Sequence, residues 1–344
     1  MSFPRFLPRG LLFPVMLIFF AACSPLSRKS ESQFALGTIC TISLYEKGKS
    51  RFYSPAFAKI YELEDIFSAN REGTDLDRIN KNAGLEPVKV RPELIEVLER
   101  ALNYAEISGG FFDPSVGPLV KLWGIGTEEE RIPEENEILE ALDLINYRDI
   151  EIKRGEGTVF LKRKGMSLDL GAIAKGYAVD ETVRVLAGSG IKRGIIDFGG
   201  DIFTLGERKK RGGNRWRIGI QDPRGLYGTY MGILNVKNKS VVTSGNYERY
   251  FEENGKRYHH IFSTKNGYPS ESGLLSVTIV ADDSAGADAL STASFAMGWE
   301  RARDLIAGTE GAEGIFVFED LSVRITGALE KDFTLTAADY RLER

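Results

Sequence analysis

The chain has 344 residues, of which 42% are hydrophobic and 27% are charged, and this composition excludes extensive intrinsic disorder. Its 45 lysines and arginines against 49 aspartates and glutamates give a formal net charge of −4, so no strongly basic surface favours a nucleic-acid partner. With two cysteines and two histidines, the chain cannot build a disulfide framework or a cysteine-rich zinc module. The length predicts two domains or lobes.

The N-terminal residues have the pattern of an export signal. Two arginines precede the apolar run 11–20, and Phe20-Ala21-Ala22-Cys23 resembles the lipoprotein box, in which the cysteine becomes the lipidated first residue of the mature chain. An uncleaved anchor is the alternative, although the run is short for a membrane span of ~20 residues. We therefore predict a signal peptide over 1–22, lipidation at Cys23, a polar tether over 23–34, and a mature protein anchored to the membrane and facing the periplasm.

The first half of the mature chain interleaves strand and helix patterns. The clearest helix covers 92–108, where Pro92 suits the first helical position and Gly109 suits the stop. Cys40 is expected as a buried strand residue. The other predicted elements are a strand over 35–44, helices over 55–67, 133–145 and 172–187, a strand pair within 150–168, and short strands over 194–198 and 202–205.

The segment 215–262 is mostly of strand character. Asn254-Gly255 lies between the strand patterns 247–251 and 257–262 and is the strongest short hairpin signal in the chain. A strand over 275–280, a helix of small residues over 285–297 and a hairpin over 314–325 follow. This mixed order with hairpins predicts an α+β fold rather than a doubly wound parallel sheet, with 35–344 as one body of two interlocked lobes.

Several common catalytic motifs are missing from the sequence. No GxGxxG follows a strand pattern, and GxxxxGK[ST], GxSxG and HExxH do not occur. The sequence therefore gives no support for assigning the chain to the Rossmann dehydrogenases, P-loop nucleotidases, α/β-hydrolases or zincins.

The helix predicted over 285–297 carries a set of oxygen ligands. Asp288, Ser291 and Thr292 are three and four residues apart, so their side chains share one helix face. A carboxylate with hydroxyls suits a hard cation such as Mg²⁺. The alternative is a helix start with an aspartate near the positive end of the helix dipole.

Two glycine-containing segments lie at strand ends. Asp169-Leu170-Gly171 leads into a helix that carries Lys175, and backbone N–H groups at such a helix start can hold phosphate. The segment Gly199-Gly200-Asp201 joins two apolar strands and would allow close approach of a ligand. A plain strand-to-helix turn and a tight hairpin are the respective alternatives.

Histidines and aromatic residues supply the last candidates. His259 and His260 are adjacent in a predicted strand, so their side chains point to opposite faces and only one can face a site. A structural, hydrogen-bonded histidine is the alternative. The aromatics Phe111, Phe112 and Trp123 could stack on a planar ring or fill a core.

Taken together and in this order, these segments resemble the ApbE family, the FAD:protein FMN transferases, over residues 35–330. The matching residues are Gly37-Thr38, Phe112-Asp113-Pro114, Val116-Gly117-Pro118-Leu119-Val120, Leu122-Trp123-Gly124, Asp169-Leu170-Gly171, Ala178-Val179-Asp180, Gly199-Gly200-Asp201, Thr243-Ser244-Gly245, His260-Ile261 and Ala287-Asp288-Ala289-Leu290-Ser291-Thr292.

The resemblance implies an exported, Mg²⁺-dependent enzyme that transfers FMN from FAD to a threonine or serine hydroxyl of a partner redox protein and releases AMP. The implied acceptors are subunits of sodium-pumping quinone reductase or Rnf-type complexes. Two alternatives stay open: an FAD pyrophosphatase that yields FMN and AMP, and a non-catalytic flavin-binding lipoprotein.

The resemblance also implies roles for residues by position, with the flavin site between the two lobes. The implied proton-transfer groups are Asp288 and His260. The implied metal ligands are Ala172, Asp288, Ser291 and Thr292. The implied flavin contacts are Leu36, Phe111, Phe112, Asp113, Asp169, Lys175, Ile261 and Phe262.

Two segments depart from the family pattern. The usual His-x-x-Asp-Pro-x-Thr-Gly reads here as His260-Ile261-Phe262-Ser263-Thr264-Lys265-Asn266-Gly267, and the aromatic common after the first helix is replaced by Asn70. Both departures lie at implied flavin or partner contacts, so they bear on affinity and substrate choice more than on metal binding.

Overall fold

The computed structural model describes residues 29–46, 50–208, 214–226 and 228–343, over which helices and strands are interleaved. The helices are α1 (Ser50–Phe67), α2 (Asp75–Lys81), α3 (Pro92–Ile107), α4 (Gly117–Trp123), α5 (Glu135–Asp143), α6 (Ala174–Gly188), α7 (Ser284–Met297) and α8 (Trp299–Ala307). The strands are β1 (Lys29–Ala35), β2 (Thr38–Leu44), β3 (Val88–Lys89), β4 (Ile150–Lys153), β5 (Thr158–Leu161), β6 (Gly194–Phe198), β7 (Asp201–Leu205), β8 (Trp216–Gln221), β9 (Tyr230–Val236), β10 (Ser240–Gly245), β11 (Tyr250–Glu253), β12 (Lys256–His259), β13 (Leu274–Ala281), β14 (Glu313–Phe318), β15 (Ser322–Ile325), β16 (Phe333–Leu335) and β17 (Arg341–Glu343).

One nine-stranded sheet runs through the molecule in the order β1-β2-β6-β7-β10-β13-β14-β15-β17. Its neighbouring strands are antiparallel except for the pair β15–β17. Three small sheets, β16-β9-β8, β3-β5-β4 and β11-β12, lie outside it. The predicted α+β class is confirmed.

The long sheet is covered on both faces, as the alternation of side chains along β10 shows. Val241 packs in one core with residues of β8, β9 and β14, whereas Val242 packs on the other face in a core that contains α7 residues. A further core joins α1, α3 and α6 to β2 and β6. The lobes are interlocked because β2, which precedes α1 in the chain and carries β1 on its other side, pairs with β6 inside the same sheet.

The N-terminal boundary of regular structure differs from the sequence prediction. The tether was expected to extend to residue 34, but Lys29–Ala35 forms β1 and pairs with β2 through a tight turn at Leu36 and Gly37. Serines alternate along this edge strand and bond across it, with Ser30 Oγ 2.7 Å from Ser43 Oγ. A polar composition therefore reflects an exposed strand here. The signal peptide, Cys23 and the residues before 29 lie outside the described residues.

Other predictions agree with the structure in kind and differ in extent. Cys40 is fully buried in β2, and burial raises the pKa of its thiol to about 12. The hairpin at Asn254-Gly255 is present, but its strands are shorter than predicted and β12 ends at His259. The first helix begins at Ser50, so Pro55 lies inside it and not at its start. Within the described ranges, no helix combines the length and apolar character needed to span a membrane.

Candidate functional site

A cavity of about 1580 Å³ lies where the β1–β2 turn, the start of α6, the start of β7, the end of β10, and α7 meet. The predicted site residues that line it are Leu36, Phe111, Phe112, Asp113, Asp169, Ala172, Lys175, His260, Ile261, Phe262, Asp288 and Thr292. Residues far apart in the chain are thus brought to one site. Ser291 is not among the lining residues.

A charged cluster of Lys175, Asp201 and Asp288 forms one part of the cavity. The Lys175 Nζ lies 3.1 Å from Asp201 Oδ2 and 3.2 Å from Asp288 Oδ1. The backbone N–H of Gly176 also donates to Asp288 Oδ2, over 3.2 Å. Both aspartates are almost completely buried, so the lysine compensates two carboxylates that have little access to water.

The crossing of α6 and α7 fixes this cluster. At Gly176 a Cβ atom would lie 2.2 Å from the Ser284 carbonyl oxygen, so the two helices touch backbone to backbone at a residue without a side chain. Asp180 on α6 accepts hydrogen bonds from the Ser284 and Ala285 N–H groups, which begin α7. This crossing brings the Asp288 carboxylate onto the N-terminus of α6.

Negative charge exceeds positive charge around the cluster. Burial, together with the nearby Asp288 carboxylate, raises the pKa of Asp201 well above its usual range. Burial likewise raises the pKa of Glu248, which also lines the cavity. Burial disfavours the Lys175 ammonium, but Asp201 and Asp288 outweigh this effect and raise the lysine's pKa. The lysine is therefore charged at neutral pH.

The oxygen atoms of the predicted metal ligands fit a hard cation in kind. Ala172, Asp288 and Thr292 line the cavity, and carbonyl, carboxylate and hydroxyl oxygens are the ligands that Mg²⁺ prefers. The Ser291 hydroxyl is engaged elsewhere, because it lies 2.7 Å from Ser244 Oγ and donates to the Asp288 carbonyl over 2.9 Å. Over the described ranges, no three His, Cys, Asp or Glu side chains are grouped as a metal site, so the set depends on neutral oxygens around one carboxylate.

The two histidines have different environments, as strand alternation predicts. His259 is buried, with Nε2 3.1 Å from the Ser270 carbonyl oxygen and its ring edge-to-face with Phe295. The Ile261 N–H donates to His259 Nδ1, so both ring nitrogens have partners. This is a structural role.

His260 lies just past the end of β12 and lines the cavity. Its Nδ1 is 3.2 Å from the Arg249 carbonyl oxygen, which can only accept, so Nδ1 carries the proton and Nε2 holds a lone pair. Burial lowers the pKa of His260 to about 4. The imidazole is therefore neutral at pH 7 and able to accept a proton.

The predicted apolar flavin contacts form an aromatic wall, which consists of Phe111, Phe112, Ile261 and Phe262. All but Phe111 are at least nine-tenths buried, so they present edges to the cavity and pack mainly into cores. Behind the wall, the Trp123 ring lies 5.9 Å from the Phe262 ring, and its Nε1 donates to the Gly267 carbonyl over 2.9 Å.

The carboxylates of Asp113 and Asp169 mainly organise backbone. Asp113 Oδ1 accepts hydrogen bonds from the Ser115 N–H and hydroxyl, and its Oδ2 accepts from the Tyr147 N–H. Asp169 Oδ1 accepts from the Gly171 N–H over 2.8 Å, and burial raises the pKa of Asp169. Asp113 thus ties its own loop to Tyr147, and both of its carboxylate oxygens already accept hydrogen bonds.

The segment that departs from the family pattern docks on the same turn. The Thr264 hydroxyl donates to the Gly110 carbonyl over 2.6 Å, and the Lys265 ammonium lies 5.4 Å from the centre of the Phe111 ring. The Asn266 side chain accepts a hydrogen bond from the Tyr268 N–H. Asn70, the second departure, also lines the cavity. The altered residues therefore hold the aromatic wall and make a closed turn.

Several lining residues were not singled out from the sequence. Glu64 Oε1 accepts the Leu36 N–H over 2.7 Å and so holds the β1–β2 turn against α1. Asp201 was visible only as the end of a two-glycine turn, and Tyr247 and Glu248 follow a strand with no local signal. Their presence at the site depends on where β7 begins and β10 ends, which is a property of the sheet.

Comparison with known proteins places the chain among flavin transferases. The model of the ApbE family matches residues 36–316. An FAD:protein FMN transferase of Treponema pallidum (strain Nichols) is 37% identical over 330 residues, covering 92% of this chain and 91% of that protein. A protein of the same name from Klebsiella pneumoniae (strain 342) is 33% identical, covering 91% of this chain and 96% of its own.

Solved structures show the same fold. The crystal structure of the ApbE protein from Thermotoga maritima superposes with a TM-score of 0.81 at 33% identity, covering 89% of this chain and 99% of that one. The flavin transferase ApbE from Vibrio cholerae superposes with a TM-score of 0.76 at 25% identity, covering 92% of this chain and 99% of its own.

Proposed function

Because this chain belongs to the ApbE family, we propose that it is an FAD:protein FMN transferase. The proposed reaction moves FMN from FAD to a threonine or serine hydroxyl of a partner redox protein and releases AMP. The observation that carries this proposal is the buried pair of Lys175 and Asp288 in a cavity that also has an aromatic wall. The pyrophosphate of FAD requires the charged environment and its flavin ring requires the aromatic one, so a site for FAD needs both.

In the proposed step, the acceptor's hydroxyl oxygen attacks the phosphorus of the FMN half of FAD. The bond from that phosphorus to the bridging oxygen breaks, and AMP leaves with the electron pair. The hydroxyl proton passes to a base, for which Asp288 and the Nε2 lone pair of His260 are both candidates. The Lys175 ammonium stabilises the phosphate charge. Since the nucleophile comes from the partner, the chain needs no nucleophile of its own.

Mg²⁺, when bound, would neutralise the pyrophosphate and hold it for in-line attack. Ala172 would contribute its carbonyl oxygen, Asp288 its carboxylate and Thr292 its hydroxyl. Lys175 retains Asp201 as a partner when the Asp288 carboxylate serves the ion. The excess of carboxylates in the charged cluster supports this assignment.

The test is incubation with FAD, Mg²⁺ and the soluble domain of an Rnf-type acceptor subunit, followed by mass measurement of the acceptor. A covalent FMN increment is expected, and it should vanish when excess chelator is added. Free FMN and AMP without labelling would indicate a pyrophosphatase instead. Intact FAD would indicate a flavin-binding lipoprotein without chemistry.

We further propose that the enzyme is exported, lipid-anchored through Cys23 and facing the periplasm, where acceptor subunits of sodium-pumping quinone reductase or Rnf-type complexes would be its substrates. Cys23→Ser should abolish lipid attachment and leave FAD turnover intact. Recovery of the wild-type protein unlipidated, with its signal still in place, would contradict the proposed location.

A further inference from the structure

One long edge of the small sheet β16-β9-β8 is open. Over the residues that the structure describes, β8 pairs with β9 on one side and with no strand on the other. Such an edge presents a row of backbone donors and acceptors to any extended chain that approaches it.

The pairing of β9 shows which β8 groups point outward. On its β16 side, β9 uses alternate residues: the Asn235 N–H donates to the Asp332 carbonyl, and the Met231 carbonyl accepts from the Thr336 N–H. The intervening residues of β9 therefore bond to β8, where Leu234 is opposite Ile218. It follows that Ile218 bonds to β9, whereas the N–H and C=O groups of Gly219 point to the open edge.

This open edge borders the cavity. The consecutive residues Ile218, Gly219, Ile220 and Gln221 all line it, although the Ile218 and Ile220 side chains are buried in the core beneath. A strand whose successive residues border one cavity presents its backbone edge there. Gly219 has no side chain to obstruct a second backbone, which is the situation in which a glycine within a strand has a positional meaning.

The cavity has room for more than a cofactor. Its volume of about 1580 Å³ exceeds the ~300–1,000 Å³ typical of small-molecule sites. The end of β10 and the charged cluster line the same cavity, so a chain that pairs with β8 has a continuous path to Lys175 and Asp288.

We propose that β8 is the docking strand for the acceptor polypeptide, an inference that depends on the proposed transfer. An extended segment of the acceptor adds to the open edge by hydrogen bonds to Gly219 and delivers its hydroxyl to the charged cluster. Main-chain pairing of this kind supplies affinity with little demand on the acceptor's side chains. The flavin ring of FAD offers one short set of such groups, O2, N3–H and O4, whereas an extended chain repeats donors and acceptors along the whole edge.

The test compares Gly219→Pro with Gly219→Ala. Proline removes the outward N–H and fixes φ, and it is tolerated at an edge strand, whereas alanine keeps that N–H and adds the same Cβ near the Tyr230 side chain. With the soluble domain of an Rnf-type acceptor subunit, G219P should raise the KM for acceptor at least tenfold, and G219A should change it less than about threefold. The Kd for FAD should be the same in both variants.

The possible outcomes separate the two proposals. Wild-type enzyme that cleaves FAD but never labels the acceptor would overturn both. Equal labelling by wild type and G219P would overturn the docking strand alone. A weakened Kd for FAD in G219P, with G219A normal, would assign the edge to FAD and also overturn it.

Amide exchange of the unaltered enzyme gives a second measurement that does not depend on the folding of G219P. Addition of the acceptor domain should slow exchange at Gly219, whereas the Ile218 and Ile220 amides are already bonded to β9 and should change little. FAD alone should leave Gly219 unaffected. Unchanged exchange at Gly219, under conditions where the acceptor becomes labelled, would contradict the docking strand.

Discussion

The charged cluster and the aromatic wall line the same cavity but are held in place by different means. Lys175, Asp201 and Asp288 come from separate elements and are positioned by hydrogen bonds between them. Phe112, Ile261 and Phe262 are positioned by burial in cores that also support the fold. Substitutions in the charged cluster should therefore lower the rate of FAD turnover more than they lower stability. Substitutions behind the aromatic wall should lower stability more than they lower the rate.

The largest effect should come from Asp288→Ala. Loss of this carboxylate removes the only charged ligand of the proposed cation and a candidate base, so we expect FAD turnover to fall by more than ~10³-fold. The fold should persist because Lys175 keeps Asp201 as a partner. Turnover is measured by release of FMN and AMP, and folding by the melting temperature.

Asp283→Ala is the matched control on the same helix. Asp283 caps α7 by accepting the Gly286 N–H, forms an ion pair with Arg100 and does not line the cavity. Its loss should cost ~1 kcal/mol of stability and leave turnover close to wild type. Comparable activity losses in both variants would mean that α7, and not the carboxylate of Asp288, is what turnover requires.

The next effect is expected at His260, and His259 is its natural comparison. His260→Ala should lower turnover by up to ~10²–10⁴-fold if the imidazole accepts the proton, or raise only KM if it merely holds FAD. His259→Ala should lower the melting temperature, since it removes hydrogen bonds to the Ser270 carbonyl and Ile261 N–H, and leave kcat unchanged. Equal kinetic losses would assign proton transfer to Asp288 or to water.

The pH dependence of turnover sharpens the same comparison. Because burial lowers the pKa of His260 to about 4, the imidazole stays deprotonated and competent as pH falls from 8 to about 5. A His260-dependent loss of kcat/KM should therefore appear only near pH 4. A loss with its midpoint near 6.5, the usual histidine value, would show that the ring is exposed to water.

Lys175→Met tests the cluster's electrostatics. Turnover should fall by about 10²-fold, since one positioned cationic donor is lost. The Asp201 and Asp288 carboxylates would then face one another without an ammonium, so the pKa of Asp201 in the folded state should rise further. A raised carboxyl pKa favours the folded state as pH falls, so the deficit in melting temperature relative to wild type should narrow between pH 8 and pH 5. If the difference in melting temperature between the variant and wild type did not change with pH, direct repulsion between the Asp201 and Asp288 carboxylates would be contradicted.

The smallest kinetic effect should follow from Trp123→Phe, behind the aromatic wall. The variant leaves the buried Gly267 carbonyl without its donor, which costs ~1–3 kcal/mol of stability. The KM for FAD should rise only a few-fold as Phe262 shifts, with kcat unchanged. Trp299→Phe, where the ring packs on Phe316 away from the cavity, should alter stability alone. A large loss of kcat in Trp123→Phe would contradict the view that the charged cluster determines turnover and the residues behind the aromatic wall determine stability.

Much of the fold could be predicted because its longer elements carry periodic patterns. The stripe of α3, the small residues of α7 and the Asn254-Gly255 turn each have a local physical cause, and each element is present. The two-residue strand β3, in contrast, has too few residues to show a period. The strand β1 was read as a tether because its polar alternation is typical of both an exposed edge and a linker.

The residues of the candidate site also divide into those that the sequence could predict and those that it could not. Asp288 and Thr292 could be placed on one helix face by spacing alone, and His260 could be separated from His259 by strand alternation. The partners of these groups could not be predicted, because Lys175 meets Asp201 only through the crossing of α6 with α7 and the position of the start of β7. Spacing likewise could not show that the Ser291 hydroxyl turns to Ser244.

The contact of Gly176 with Ser284 has a consequence for anyone who would redesign this scaffold. Because the two helices meet backbone to backbone, the distance from the Gly176 N–H to the Asp288 carboxylate is set by main-chain geometry and not by interchangeable side chains. Surface residues of α6 and of the surrounding loops can therefore be substituted without moving the Asp288 carboxylate. Any side chain at position 176, by contrast, would push the two helices apart and so displace the Asp288 carboxylate without contacting a reacting group.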